Sequence, residues 1–219
     1  MRLGGTLVFI IIVALLALFR FVEETADKKL SYNRFSVTKI IDGDTVELEG
    51  GDRLRLQYID SPERGEPYAD SATILLKTLL IGVANAQSPL IDIIFGQRKR
   101  DGYGRLLGDL RVGGMSVSEE LLRRGFANVY LFRDRGGKLE DSLSRRLIEA
   151  QRDAILRRAG KWSLIFSEEA EYLSPGRSLR FHRPTCASIS RSNRDAIRRY
   201  GSRFEALIEG LSPCRNCRP

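Results

Sequence analysis

A chain of 219 residues, 42% hydrophobic and 29% charged, has the composition of a folded protein and excludes a disordered or low-complexity one. That length allows one domain of ordinary size with a small accessory module. The formal net charge of +8 favours a polyanionic partner, nucleic acid or an anionic membrane surface.

The first element is an uncharged stretch from Leu3 to Phe19, bounded by Arg2 and Arg20. At about 1.5 Å per residue it is just long enough to span a hydrocarbon core, so residues 1–22 read as a transmembrane anchor. A signal peptide is the alternative, but Phe19-Arg20-Phe21-Val22 lacks the small residues that cleavage needs. Residues 23–34 read as a linker. Three strand-like runs follow: Val37, Ile40 and Ile41; then Val46 and Leu48 alternating with acids; then Leu54, Leu56 and Tyr58 alternating with polar residues. Gly50-Gly51-Asp52 is a hairpin signal.

Residues 68–81 have helical spacing, with Ala72, Leu75, Leu76 and Leu79 on one face. Strands are predicted at 89–96 and 104–112 and a helix at 116–125, where Ser116 and Glu119 fit a capping box. A long amphipathic helix fills 139–158, and Gly160-Lys161-Trp162 closes the domain, which spans 35–168. This order predicts a β-barrel plus α class: an OB-fold, with a five-stranded barrel and about three helices.

Three short motifs carry chemistry. Asp42-Gly43-Asp44-Thr45 sets a carboxylate at a strand turn; Arg55 to Glu63 (RLQYIDSPE) puts an arginine on a strand, then Asp60 and Glu63 around Ser61-Pro62; Asp101-Gly102-Tyr103-Gly104-Arg105 opens a later strand. Carboxylates bind hard cations and arginines clamp phosphate, the groups that phosphodiester chemistry requires. Each motif alone is also ordinary turn chemistry.

Taken together, IDGDTV, R-x4-D-S-P-E, DGYGR and ELLRRGFANV resemble the staphylococcal nuclease (thermonuclease) family over residues 35–165. The resemblance implies a nuclease cutting DNA or RNA with little sequence demand and leaving 3′-phosphate ends. It implies Asp44 and Asp60 as Ca²⁺ ligands, with the Ser61 backbone carbonyl, and Asp42 supporting them. Glu63 would be the general base, Arg55 and Arg105 would bind phosphate and stabilise the transition state, and Tyr103 would contact a substrate phosphate. Gly102 stands where the best-known family member has a lysine.

The last segment is distinct in composition. From Glu171 to Pro219 it holds ten arginines, no lysine and four acids, so it carries six of the eight net charges. The bias suits a phosphate backbone, and equally a solvated face. His182, Cys186, Cys214 and Cys217 form an HxxxC…CxxC pattern that uses every cysteine and the only histidine, which suits tetrahedral Zn²⁺. A Cys214–Cys217 disulfide is the alternative.

Residues 171–219 read as a zinc-binding module, and FHRPTC and GLSPCRNCRP resemble the metal-binding domain of Ada-type DNA repair proteins. In those proteins a methyl-accepting cysteine stands where this chain has His182, so methyl transfer is not implied. The expectation is thus a single-pass membrane nuclease with a zinc-stapled nucleic-acid grip and no protein partner inferable; the family resemblance implies a catalytic domain outside the cytoplasm, while Arg20, Lys28 and Lys29 after the apolar run mildly favour a cytoplasmic one. The alternative is a non-catalytic OB-fold nucleic-acid binder.

Overall fold

In the computed structural model the residues described are 34–81, 91–132, 141–164, 166 and 168–219. The apolar segment Leu3–Phe19 lies outside them; among the described residues no helix is long and apolar enough to cross a membrane.

The alternation in the first half produces a meander of β2 (Val37–Ile40), β3 (Thr45–Leu48) and β4 (Arg53–Leu56). It is antiparallel, with Val46 opposite Leu54 and Thr45 opposite Arg55. Val46, Leu48, Leu54 and Leu56 all face the core, so the two-residue period sends the apolar set to one side. β4 pairs in parallel with β7 (Leu106–Val112), Arg55 opposite Leu107, and β7 pairs antiparallel with β6 (Ile91–Arg100). β1 (Arg34–Phe35) lies beyond β6, giving the order β1-β6-β7-β4-β3-β2, with β8 (Met115–Ser116) on β7.

Since β1 ends at Phe35 and β2 starts at Val37, the order begins and ends on adjacent chain. The sheet is therefore curled, in the manner of an OB-fold barrel.

β6 starts at Ile91 and runs on through the polar residues to Arg100, beyond the end expected at 96. Ladder hydrogen bonds come from the backbone and do not require apolar side chains; the register shifts between Phe95 and Arg100. The helices are α1 (Ala69–Ile81), α2 (Val117–Arg123) and α3 (Asp141–Leu156). At the start of α2 the Ser116 hydroxyl accepts from the Glu119 N–H (3.1 Å) and donates to the buried Asp109 carboxylate (2.7 Å). The Glu119 carboxylate turns to Arg123 and Arg146, so only the serine half of the expected capping box forms.

The tail is built on two small ladders. β10 (Tyr172–Pro175) pairs antiparallel with β12 (Ile197–Tyr200), and β11 (Arg180–Phe181) runs parallel to β13 (Ser212–Pro213). Two short helices, α4 (Ala187–Ser190) and α5 (Arg203–Ile208), complete it.

Its few apolar side chains, Tyr172, Phe181, Tyr200 and Leu207 among them, pool with Ala154, Ile155 and Trp162 in one buried cluster. Buried Gln151 on α3 accepts from the Val129 N–H and donates to the Leu207 carbonyl, each at 2.7 Å. The Ser212 hydroxyl donates to the Val129 carbonyl at 2.7 Å. Gly210, at φ +83, passes so close to α3 that a Cβ would lie 2.6 Å from Ile148 Cδ1. Phe35–Pro219 accordingly forms one compact unit.

Candidate active site

The Asp42-Gly43-Asp44 turn is tied by its own carboxylate: Asp42 Oδ1 accepts from the Asp44 N–H at 3.0 Å. Gly43 is required here by space, since a Cβ would lie 2.6 Å from Ala72 Cβ on α1 and 2.8 Å from Ser61 Cβ. That close approach brings the turn against the loop after β5 (Ile59–Asp60). Asp44 Oδ2 then accepts from the Ser61 N–H at 3.0 Å, and Oδ1 from the Thr45 hydroxyl at 2.9 Å.

Between β4 and β5 the chain reverses at Tyr58, whose φ of 65° is left-handed and unfavourable for a side chain of that size. The Tyr58 side chain is buried and its ring lies 4.9 Å from that of Phe132; its carbonyl accepts from the Tyr130 N–H at 2.7 Å. The reversal folds Asp60 back onto Arg55. β5 is held by β9 (Asn128–Val129), with Asp60 opposite Asn128.

The outcome is a convergence on one atom. Arg55 Nη2 lies 3.2 Å from Asp44 Oδ2 and 2.7 Å from Asp60 Oδ1, while Nη1 donates to the Ile59 carbonyl at 3.0 Å. Burial pushes the Asp44 carboxyl above the usual carboxylate range; the Arg55 charge, the Ser61 N–H and the Thr45 hydroxyl pull the other way, and nearby Asp42 adds to the rise. Two carboxylate oxygens, one from the Asp42–Asp44 turn and one from β5, thus meet on a single cationic point, and oxygen donors are the kind that bind a hard divalent cation.

A cavity of about 350 Å³ opens beside this point, lined by Asp60, Ser61, Glu63, Tyr130, Lys161 and Arg215 among others. Glu63 is exposed at its mouth, with its N–H on Glu66 Oε2 at 2.9 Å. Tyr103 and Arg105 do not line the cavity. Arg105 Nε pairs with Asp101 Oδ2 at 2.8 Å inside its own turn, and Tyr103 is 89% exposed beneath the Arg105 guanidinium, 5.5 Å from ring centre. Burial would raise the Asp101 carboxyl, but the bonds from Arg105 and from the Tyr103 and Arg105 N–H groups outweigh it and hold the carboxyl low. Arg105 immediately precedes β7, whose Leu107 is the partner of Arg55, so the two arginines sit on neighbouring segments of the sheet.

Four cations that lie in none of the three motifs line the cavity, Lys161, Arg203, Arg215 and Arg218, and two of them bear on its acids. Burial pushes the Lys161 amine down to about 8, against the fields of Glu66 and Asp60. Arg215, in the Cys214–Cys217 turn, reaches Asp60 Oδ1 at 2.9 Å from 155 residues away. No local pattern marks either one.

The four tail ligands do come together. The imidazole and thiol ligand atoms of His182, Cys186, Cys214 and Cys217 all lie within 4.8 Å of one another. A bridge between His182 and Leu173 fixes the histidine backbone, and Cys214 N–H donates to the Phe181 carbonyl at 2.9 Å. Burial, then the Arg180 charge, hold the His182 imidazole below its ordinary range, which favours the neutral ligating form. All three cysteines are free thiols, so the donor set suits a soft-ligand tetrahedral ion.

Comparison with known proteins agrees with the barrel geometry. The model of the family described as staphylococcal nuclease homologue matches residues 53–164. An uncharacterized endonuclease of Escherichia coli is 35% identical over 98 residues, covering 43% of this chain and 59% of the relative. Endonuclease YncB of Bacillus subtilis is 35% identical over 103 residues, 43% of this chain and 46% of the relative. The SPbeta prophage-derived endonuclease YokF of the same species is 30% identical over 129 residues, 55% of this chain and 42% of the relative. The chain thus spans under two thirds of the length of each. The match over 53–164, half of the chain, places it in the staphylococcal nuclease family.

Proposed function

We propose that the chain is a Ca²⁺-dependent nuclease that hydrolyses phosphodiester bonds of DNA or RNA with little sequence preference and leaves 3′-phosphate ends. The observation that carries this reading is the meeting of Asp44 Oδ2 and Asp60 Oδ1 on Arg55 Nη2, beside a cavity with Glu63 at its mouth. Asp44 and Asp60, with the Ser61 carbonyl, would hold the ion. Ca²⁺, when bound, would neutralise charge on the phosphate and polarise the attacking water.

The remaining steps fall to the protein. Glu63 accepts the proton of a water placed in line with the scissile P–O5′ bond. Arg55 and Arg105 donate to the equatorial oxygens, where negative charge builds as the new P–O bond forms and the P–O5′ bond breaks, and the departing O5′ takes a proton from solvent water. The phosphate stays on the 3′ oxygen. Exposed Tyr103 would contact a phosphate of the substrate.

Zn²⁺ on His182, Cys186, Cys214 and Cys217 serves folding of the tail, and residues 1–22 hold the enzyme at a membrane with its catalytic domain outside the cytoplasm. Incubating plasmid DNA with the full chain tests the central claim. Nicking with added Ca²⁺ that stops with a calcium chelator, and new ends that need phosphatase before extension by polymerase, are expected; Ca²⁺-independent or absent nicking would refute it.

A further inference from the structure

The Cys214–Cys217 turn does more than supply two thiolates. Arg215, between them, extends into the cavity that Asp60, Ser61 and Glu63 line. Its Nη2 lies 2.9 Å from Asp60 Oδ1, the same oxygen that Arg55 Nη2 holds at 2.7 Å. Its guanidinium carbon sits 4.6 Å from the centre of the Tyr130 ring, and that of Arg180 sits 3.8 Å from the same centre. The base of the side chain is fixed, because Cys214 N–H donates to the Phe181 carbonyl and Arg218 N–H to the Cys214 carbonyl, each at 2.9 Å. Yet 62% of the side chain remains exposed, so donors stay open to an incoming group.

We propose that Arg215 is a phosphate-binding residue of the nuclease site, delivered to it by the metal-ligating turn of the tail. The inference rests on the nuclease reading for its substrate, a nucleic-acid backbone. Arg55 is shared between Asp44 and Asp60, so Arg215 brings a second guanidinium to an oxygen that already has a cationic partner. Once Asp60 engages a cation, the Arg215 fork is left facing the cavity, stacked on Tyr130 and pre-set for bidentate contact with a phosphate.

A mere latch between tail and barrel is a poorer account of the same contact. An exposed ion pair adds little to stability. The tail is also already held by Gln151 and Ser212 and by Arg180, whose Nη1 donates to the Leu131 carbonyl at 2.9 Å. As a guanidinium, Arg215 carries its charge at any pH at which the enzyme works.

The test uses the full chain in detergent with a fluorescein-labelled single-stranded DNA oligonucleotide, in wild-type, Arg215→Ala, Arg215→Lys and Arg194→Ala forms. Steady-state cleavage with Ca²⁺ gives KM and kcat, and fluorescence anisotropy gives affinity without reference to turnover. Arg215→Ala should raise KM and the dissociation constant about tenfold, the scale of one charged contact, with kcat within about twofold. The dependence of log affinity on log salt should become shallower by about 0.7, one phosphate contact on a single strand.

Arg215→Lys should recover part of the loss, and Arg194→Ala, an exposed tail arginine, should leave affinity unchanged. An unaltered dissociation constant and salt slope in Arg215→Ala would overturn the proposal, as would tighter binding, which would make Arg215 a plug over Asp60. If wild type binds but does not cut, the nuclease reading fails while anisotropy still judges Arg215.

Discussion

The Asp44–Asp60 pair in the barrel and the His182–Cys217 cluster in the tail both gather ligand atoms from distant segments, but into different surroundings. The barrel pair is already balanced by a guanidinium, and one of its members, Asp60, lines a cavity of about 350 Å³, so its partner there is exchangeable. In the tail cluster no Lys, Arg, Asp or Glu takes part, three of the four ligands are buried, and Leu173 and Ile189 pack with them in a small apolar group. Oxygen donors beside an opening suit an ion that works on substrate; sulfur and imidazole donors closed in by backbone suit one that holds a fold. The difference predicts that damage at the first site costs turnover and damage at the second costs structure.

The sharpest break would come at Glu63. Glu63→Gln keeps the shape of the side chain and removes its capacity to accept a proton, so kcat should fall by about 10² to 10⁴, the contribution of a general base. Because Glu63 is exposed and, among the described residues, is hydrogen-bonded through its backbone to Glu66, melting temperature and Ca²⁺-dependent binding of DNA should stay as in wild type. Single-turnover cleavage against anisotropy separates the two effects. Cutting at the wild-type rate would remove Glu63 from its role.

A change at Cys217 asks the converse question. Cys217→Ser should lower zinc affinity at least about 100-fold, more than loss of a supporting outer contact does. Hydrogen exchange should then show the Leu173, His182 and Tyr200 amides losing protection, while Val46, Leu54 and Leu110 in the barrel retain theirs. Val129 is the informative boundary, since its N–H goes to Gln151 and its carbonyl to Ser212 of the tail. Equal loss of protection at Leu54 would mean that the two regions fold only together and that the contrast between them is false.

Much of this was readable in the chain because the relevant contacts are local. The hairpin of β3 and β4 follows from strict alternation, and the Arg55–Asp60 pair needs only a strand and one reversal. What that reversal requires, a left-handed Tyr58, has no sequence signal, because its cost is met by burial of the ring and the bond to Tyr130. Gly43 read as a simple turn residue, although its decisive constraint is Ala72 on a helix far along the chain. The tail looked poor in apolar residues because its core is shared with Ala154, Ile155 and Trp162. Arg215 was invisible as a site residue for the same reason, its partner being Asp60 at the other end of the compact unit.

The smallest expected effect tests how much of the tail is held by its own packing rather than by metal. Tyr200 is buried on β12, and its hydroxyl donates to Glu209 Oε2 at 2.7 Å. Burial, then that bond, push its pKa up to about 12 from an ordinary value of 10.0. The folded chain therefore binds the phenolic proton more tightly than the unfolded chain does. The contribution to stability is full below pH 10 and is lost as pH rises through about 12. Tyr200→Phe deletes the proton and the bond together. At neutral pH it should cost about 1 kcal/mol by denaturant titration, and between pH 10 and 12 its stability should fall less steeply than that of wild type, so the two curves converge. Parallel curves would show that the Tyr200–Glu209 bond does not stabilise the tail, leaving the shared apolar cluster to hold it.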